Sequence, residues 1–294
     1  MTSLDTAVDQ SRQQIVGSEF PVGPDGTVYH LGVKKETVCS SYSYCWLCRK
    51  SQKFAQAYLE CYKEYTCSRK FAIFTGYRNG VRVSIIGSLM GYPNMDFVVR
   101  ECRHIIDGNM AIIRMGTSGS PRDDVELGTV ALASEGCVAI IRNPDAFGSD
   151  PSGPPYFITN TVPPTKPGFI DCFRKTFSSR FPERFREGVG ASGCSFYSAQ
   201  GRVTGEFEDR NETVLDDLLK KEPRVVNLEM ETFHLYDMAR VASQKNIAVA
   251  GAAIVIAART KDQFIDLELK DKMENLAGEA CIDTLISYDL DRFD

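Results

Sequence analysis

Along this chain the spacing of apolar residues changes repeatedly, and the changes mark out alternating strands and helices. Residues 81–86 (VRVSII) form a short β-branched run, the composition of a strand. Gly91-Tyr92-Pro93 reads as a loop feeding a helix with proline in its first turn. Phe97, Val98, Cys102, Ile105 and Ile106 then recur at helical spacing and predict a helix over 93–106. Residues 110–115 (MAIIRM) predict a strand that runs into a turn at Gly116-Thr117-Ser118-Gly119, and 129–134 and 137–142 predict two more strands. The stretch 143–167, with its DPSGPP and VPPTKPG runs, reads as a long surface excursion. Helices are expected over 169–177, over 227–245 on the spacing of Met230, Phe233, Met238 and Val241, and over 263–287. Residues 248–256 are wholly apolar, as in a central strand covered on both faces. The first 26 residues are polar and read as a loosely held arm, leaving 27–294 as the folded domain. No internal repeat is present. These elements predict a single α/β domain with a central mixed, mostly parallel β-sheet flanked by helices.

Composition narrows the function classes. The chain has 294 residues, 34 basic against 39 acidic, for a formal charge of −5, and shows no basic stripe; a nucleic-acid partner is not expected. The longest apolar stretch, 247–258, falls well short of the roughly 20 residues needed to span a bilayer, so no membrane partner is expected either. No secretory h-region precedes the domain, and ten scattered cysteines do not make a disulfide scaffold, which suits a cytosolic protein. Cys45 and Cys48 form a single CxxC with no second ligand pair at zinc spacing, and read as incidental thiols.

Three segments carry candidate chemistry. Arg114-Met115-Gly116-Thr117-Ser118-Gly119 closes a strand, the place where open α/β sheets bind ligands. Glycines there let backbone N–H groups approach an anion, and a threonine hydroxyl and an arginine fork add to it. A plain strand-to-loop turn is the bland alternative, and the segment is neither a Walker loop nor a GxGxxG. In Phe196-Tyr197-Ser198-Ala199-Gln200-Gly201-Arg202 a carboxamide and a guanidinium stand two residues apart. That pair suits a planar heterocycle with alternating carbonyl and N–H groups, with Phe196 able to stack on the ring; otherwise it is a polar loop. Glu229-Met230-Glu231 opens the helix expected over 227–245, where carboxylates complement the helix dipole. The sharper reading lets Glu231 accept hydrogen bonds from a sugar diol over Met230.

Taken in order, VYHLG at 28–32, Arg69-Lys70-Phe71, RMGTSG, FYSAQGR, NLEMET and Arg259 make the chain similar to uridine phosphorylases of the nucleoside phosphorylase-I group, from about residue 29 to 259. The resemblance implies phosphorolysis of uridine to uracil and ribose 1-phosphate, with inorganic phosphate as co-substrate and no organic cofactor. It places Arg114, Gly116 and Thr117 at phosphate, with Arg69 reaching that phosphate from a neighbouring subunit. Phe196, Gln200, Arg202, Ile256 and Arg259 fall on the uracil pocket. Glu229, Met230 and Glu231 fall on the ribose, and His30 reaches its 5′-hydroxyl from a neighbouring subunit. Catalysis would rest on Arg114, Arg202 and Glu231, in at least a dimer with shared sites. His104 and His234 match no site of the family. A purine phosphorylase, a nucleosidase or a catalytically impaired paralogue is the alternative.

Two departures qualify the resemblance. The family's Gly-x-x-x-Arg phosphate loop should fall near Ser41–Lys50, but Trp46 stands where the glycine belongs, with Lys50 or Arg49 in place of the arginine. The segment also reads poorly as a central strand. Codons chosen for 41–50 can, one base later, spell Arg-Ile-Val-Thr-Val-Gly-Tyr-Ala-Glu and a following Arg. A local double frameshift is therefore an expectation that an in-frame Trp46 codon in the transcript would end. Some relatives bind a metal through an acidic residue where Lys70 stands, so no metal is expected by that route.

Overall fold

The computed structural model describes residues 15–290 apart from 36, 39–42, 48, 49, 68 and 245, with backbone alone for 43–47. The strands are β1 (Ser43–Leu47), β2 (Glu60–Thr66), β3 (Ala72–Arg78), β4 (Val81–Gly87), β5 (Met110–Ser120), β6 (Val130–Arg142), β7 (Tyr156–Ile158), β8 (Phe185–Gly193), β9 (Val225–Glu229), β10 (Ile247–Ala258) and β11 (Gln263–Phe264). The helices are α1 (Ser51–Tyr58), α2 (Tyr92–Ile105), α3 (Pro167–Arg180), α4 (Val214–Lys221), α5 (Thr232–Val241) and α6 (Leu267–Ser287). All strands join one mixed sheet in the order β11-β10-β6-β8-β9-β5-β1-β4-β3-β2, with β7 on β6 and a further pairing of β10 with β5. That last pairing closes β5, β10, β6, β8 and β9 into a ring, and the centre around β1, β5 and β10 is parallel as expected.

Apolar side chains cover both faces. Phe54, Phe169, Phe173, Phe177, Cys281 and Leu285 from α1, α3 and α6 pack on one side. Val98, Cys102, Leu235 and Tyr236 from α2 and α5 pack on the other, joined by Val28 and Leu31. Small residues on β10 allow close approach: a Cβ at Gly251 would stand 2.0 Å from Thr232 Cγ2, so the first turn of α5 rests directly on the strand.

Several expectations are corrected. Residues 116–119 are not a turn; β5 continues to Ser120 because β10 supplies ladder partners as far as Ala258. The strands expected at 129–134 and 137–142 are one, β6, bent at Gly136 (φ +115°) where its register on β8 shifts. Residues 225–229 form β9, buried beside β8, so the helix starts at Thr232 and ends at Val241. Residues 263–264 form β11, and Asp266 caps α6 by accepting from the N–H groups of Glu268 and Leu269. The excursion at 143–167 contains β7 and a 3-10 turn, tied together by Asn143 Nδ2 donating to Ser152 O and Pro154 O. Ser43–Leu47 does form a central strand, parallel to β4 and β5 on either side. Within the expected arm, Val22 bridges Val16 and Val28, and Phe20 stacks on His104 at 4.2 Å; residues 1–14, like Arg49, lie outside the described residues.

Candidate active site

Five chain segments converge at one end of the strand ring. β5 brings Arg114, Gly116, Thr117 and Ser118; the end of β9 brings Glu229, Met230 and Glu231; the loop after β8 brings Phe196, Gln200 and Arg202; β10 brings Ile256; and the β4–α2 loop brings Ser88, Leu89 and Met90. All of them line a single cavity of about 130 Å³. A wider cavity of about 690 Å³, lined by Arg103, His104 and Asn246 among others, contains none of these candidates, so side-chain chemistry rather than volume marks the site.

One pole is built around Arg114. Its Nη2 donates to Glu231 Oε2 at 2.5 Å, and Nη1 lies 3.0 Å from Glu229 Oε2. Burial works against the guanidinium charge, but the two carboxylates more than offset it and raise its pKa. Burial likewise lifts the Glu231 carboxyl above its ordinary value, against the pull of Arg114. Glu229 is fixed from its other side: it accepts from the backbone N–H of Glu231 (2.8 Å) and of Thr232 (3.0 Å) and from the Ser192 hydroxyl, so it caps the start of α5. Glu231 Oε1 accepts from Gly91 N at 2.6 Å, tying the β4–α2 loop to the same pole. Gly91 has φ +88°, a conformation that favours glycine.

Gly116 is required by a neighbour within its own motif. A Cβ there would stand 2.7 Å from Arg114 Cζ, so the guanidinium lies flat across the glycine. Gly116→Ala should displace that group and lower kcat/KM by about 10- to 100-fold, on the order of 1.4–2.7 kcal/mol, with a small change in melting temperature. Activity within threefold of wild type would show that Arg114 does not need this seat.

The other pole holds Gln200 and Arg202. Gln200 Nε2 donates to Glu229 O at 3.3 Å, and its Oε1 accepts from Arg202 Nη1 at 2.8 Å. Arg202 also donates to Phe196 O at 2.6 Å and lies 3.8 Å over the Phe196 ring, a cation–π contact. Burial, and secondarily the Arg259 guanidinium, lower the Arg202 pKa to about 10, which leaves it charged at neutral pH. Arg259 Nη1 donates to Gln200 O at 2.9 Å and Nη2 to Gly201 O at 3.4 Å, bracing the loop from behind. Ile256 is the extra residue where the β10–β5 register slips between Val255 and Ala257, and it lines the cavity.

Four expected residues do not line this cavity: Arg259, expected at the uracil pocket, reaches only the backbone oxygens of Gln200 and Gly201, and Lys50, His30 and Arg69 stand farther off. Lys50, expected at phosphate, has its ammonium between Asp271 (2.8 Å) and Glu274 of α6 and does not line the cavity. His30 and Arg69 sit together on another part of the surface: His30 Nδ1 is 2.6 Å from Glu101, and Arg69 lies over the ring of Tyr29. Sequence reasoning missed Ser88, Leu89, Met90, Ser118 and Phe264, which also line the cavity. Ser118 lies within the RMGTSG motif, and its buried hydroxyl has no hydrogen-bond partner among the described residues. The others carried no composition signal. His104 belongs to α2, and His234 belongs to α5, where its ring stacks on Tyr92.

Residues 49–287 match the profile of the phosphorylase superfamily. The chain belongs to this superfamily. Among solved structures similar to it is a uridine phosphorylase of the oomycete Phytophthora capsici, 32% identical, covering 94% of this chain and all of that one, with a TM-score of 0.88. Uridine phosphorylase of Thermococcus kodakarensis is 25% identical over 231 residues, 78% of each chain. A DeoD-type purine nucleoside phosphorylase of Bacillus velezensis is 35% identical, but over only 34% of this chain and 43% of its own. The superfamily match together with the two uridine phosphorylase relatives indicates a pentosyltransferase, and it accords with the mixed sheet and its flanking helices. Among the described residues no group of three or more His, Cys, Asp or Glu side chains gathers to hold a metal, and no helix is long and apolar enough to cross a membrane.

Proposed function

We propose that this phosphorylase-superfamily protein cleaves uridine with inorganic phosphate, giving uracil and ribose 1-phosphate, as a pyrimidine-salvage enzyme of the cytosol that needs no organic cofactor. The observation that carries this reading is the shared cavity of Arg114 and Arg202, with the Glu231 carboxylate on the same wall. Breaking the glycosidic bond makes the sugar oxocarbenium-like while a phosphate dianion approaches one face and uracil leaves the other as an anion. Fixed positive groups at both ends stabilise this charge flow with little proton transfer. Arg114, with the Thr117 hydroxyl and the open backbone at Gly116, would hold phosphate. Glu231 would accept from the ribose hydroxyls over Met230, with Glu229 fixing both Arg114 and the start of α5. Gln200 and Arg202 present one acceptor and several donors to the uracil edge, a pattern that fits a pyrimidine better than a purine.

His30 and Arg69 lie outside this cavity but beside each other, which fits their delivery to the site of a second copy of the chain. The active unit would then be a homodimer or a multiple of one. Uracil release measured with and without phosphate tests the reading: release that requires phosphate and yields ribose 1-phosphate is expected. Phosphate-independent release would make the protein a nucleosidase, and saturable uridine binding without turnover would make it a binding paralogue.

A further inference from the structure

A buried carboxylate outside the cavity is bound up with His30. Glu101 of α2 is 4% exposed, on the helix face otherwise filled by Val98, Cys102 and Ile105. Burying a carboxylate is costly unless it is hydrogen-bonded, and Glu101 is, all on one turn of the N-terminal segment. Its oxygens accept from His30 N (2.9 and 3.1 Å) and Leu31 N (2.7 Å), and Oε1 lies 2.6 Å from His30 Nδ1. Among the described residues no lysine or arginine pairs with it. The imidazole is further fixed by stacking on Phe97 (3.6 Å between centroids, 8° between planes) and by the Cys67 thiol donating to His30 O at 3.0 Å. His30 Nε2 makes no hydrogen bond among the described residues, and the side chain is 19% exposed.

We propose that Glu101 is a positioning residue that holds the His30 proton on Nδ1, so that Nε2 is presented to a neighbouring copy as an acceptor for the ribose 5′-hydroxyl. A carboxylate has no proton to give, so the ring nitrogen facing it must be the donor, and in the neutral ring the opposite nitrogen is then an acceptor. The two backbone N–H groups on the same carboxylate fix the ring's height and direction. The proposal rests on the functional reading above, in which His30 reaches a second copy's substrate.

The test uses Glu101→Gln. The carboxamide keeps an oxygen for the backbone N–H groups but turns an NH₂ toward Nδ1, which reverses the tautomer while preserving the size of the side chain. Nitrogen-15 NMR of the full-length protein, with only three histidines to assign, should show the His30 proton on Nδ1 in the wild type and on Nε2 in the variant. The ratio of kcat/KM for uridine to that for 5′-deoxyuridine should be about tenfold in the wild type, the effect of one hydrogen bond. It should fall toward one in both Glu101→Gln and His30→Ala. A variant that loses activity equally on both substrates, or a wild-type proton on Nε2, overturns the role given to Glu101. A ratio lost in His30→Ala but kept in Glu101→Gln does the same. A ratio unchanged in His30→Ala overturns the ribose contact instead, which is a failure of the functional reading.

Discussion

Arg114→Ala should lower kcat by about 100- to 1000-fold, since it removes the fixed cation from the pole to which the proposed reading assigns phosphate. The same change should destabilise the fold by about 3–5 kcal/mol, because it leaves the buried carboxylates of Glu229 and Glu231 without their counter-charge. The two effects can be separated by pH. Burial already lifts the Glu231 carboxyl above its ordinary value, and without the guanidinium it must rise further. A carboxyl whose folded pKa exceeds its unfolded one leaves stability intact below the unfolded value and reduces it as pH rises through the folded one. The variant should therefore approach wild-type stability in mild acid and fall behind toward neutral pH, while remaining inactive throughout. Denaturant titrations at several pH values would show this, and a stability gap that does not grow with pH would contradict the buried-pair account.

Arg202→Ala should reduce kcat/KM for uridine by about 100-fold, roughly 2.7 kcal/mol, through loss of the charge that receives electrons on the departing base. Phosphate KM should change little, because Arg114 anchors the other pole. Arg202→Lys should recover only a small part of the loss, since an ammonium cannot lie flat on Phe196 while bonding both Phe196 O and Gln200 Oε1. Steady-state kinetics with each substrate varied would decide it. Retention of more than a third of wild-type kcat/KM in Arg202→Ala would place the base elsewhere.

Much of the site could be read from residue types in order. Arg114, Thr117, Gln200, Arg202, Met230 and Glu231 all reach the cavity, although apolar spacing and glycine content suggest the wrong local structure for two of their segments. Gly116 and Gly119 looked like turn glycines, yet they lie in a strand: the space they leave is filled by the Arg114 guanidinium and by the Arg259 stem, whose Cγ is 3.0 Å from where a Gly119 Cβ would be. Asn227, Leu228 and Glu229 were absorbed into the helical periodicity that follows them, and only pairing with β8 reveals the strand. Glu101 had a faint signal, an acid within the apolar repeat of α2. Its partner lies 71 positions away, beyond what helical spacing can show. The residue types of Ser43–Leu47 suit a central strand poorly, whereas its backbone is held by neighbours on both sides.

The Arg114 pole has a consequence for the isolated chain. One cation there faces two anions, so that pole carries an excess of negative charge before any dianion enters. On the proposed reading a lone polypeptide would hold the oxyanion weakly, and a guanidinium delivered from a second copy, the part proposed for Arg69, would restore the balance. Dilution would then silence turnover without unfolding anything, and the abundance of the chain would itself set how much of it works.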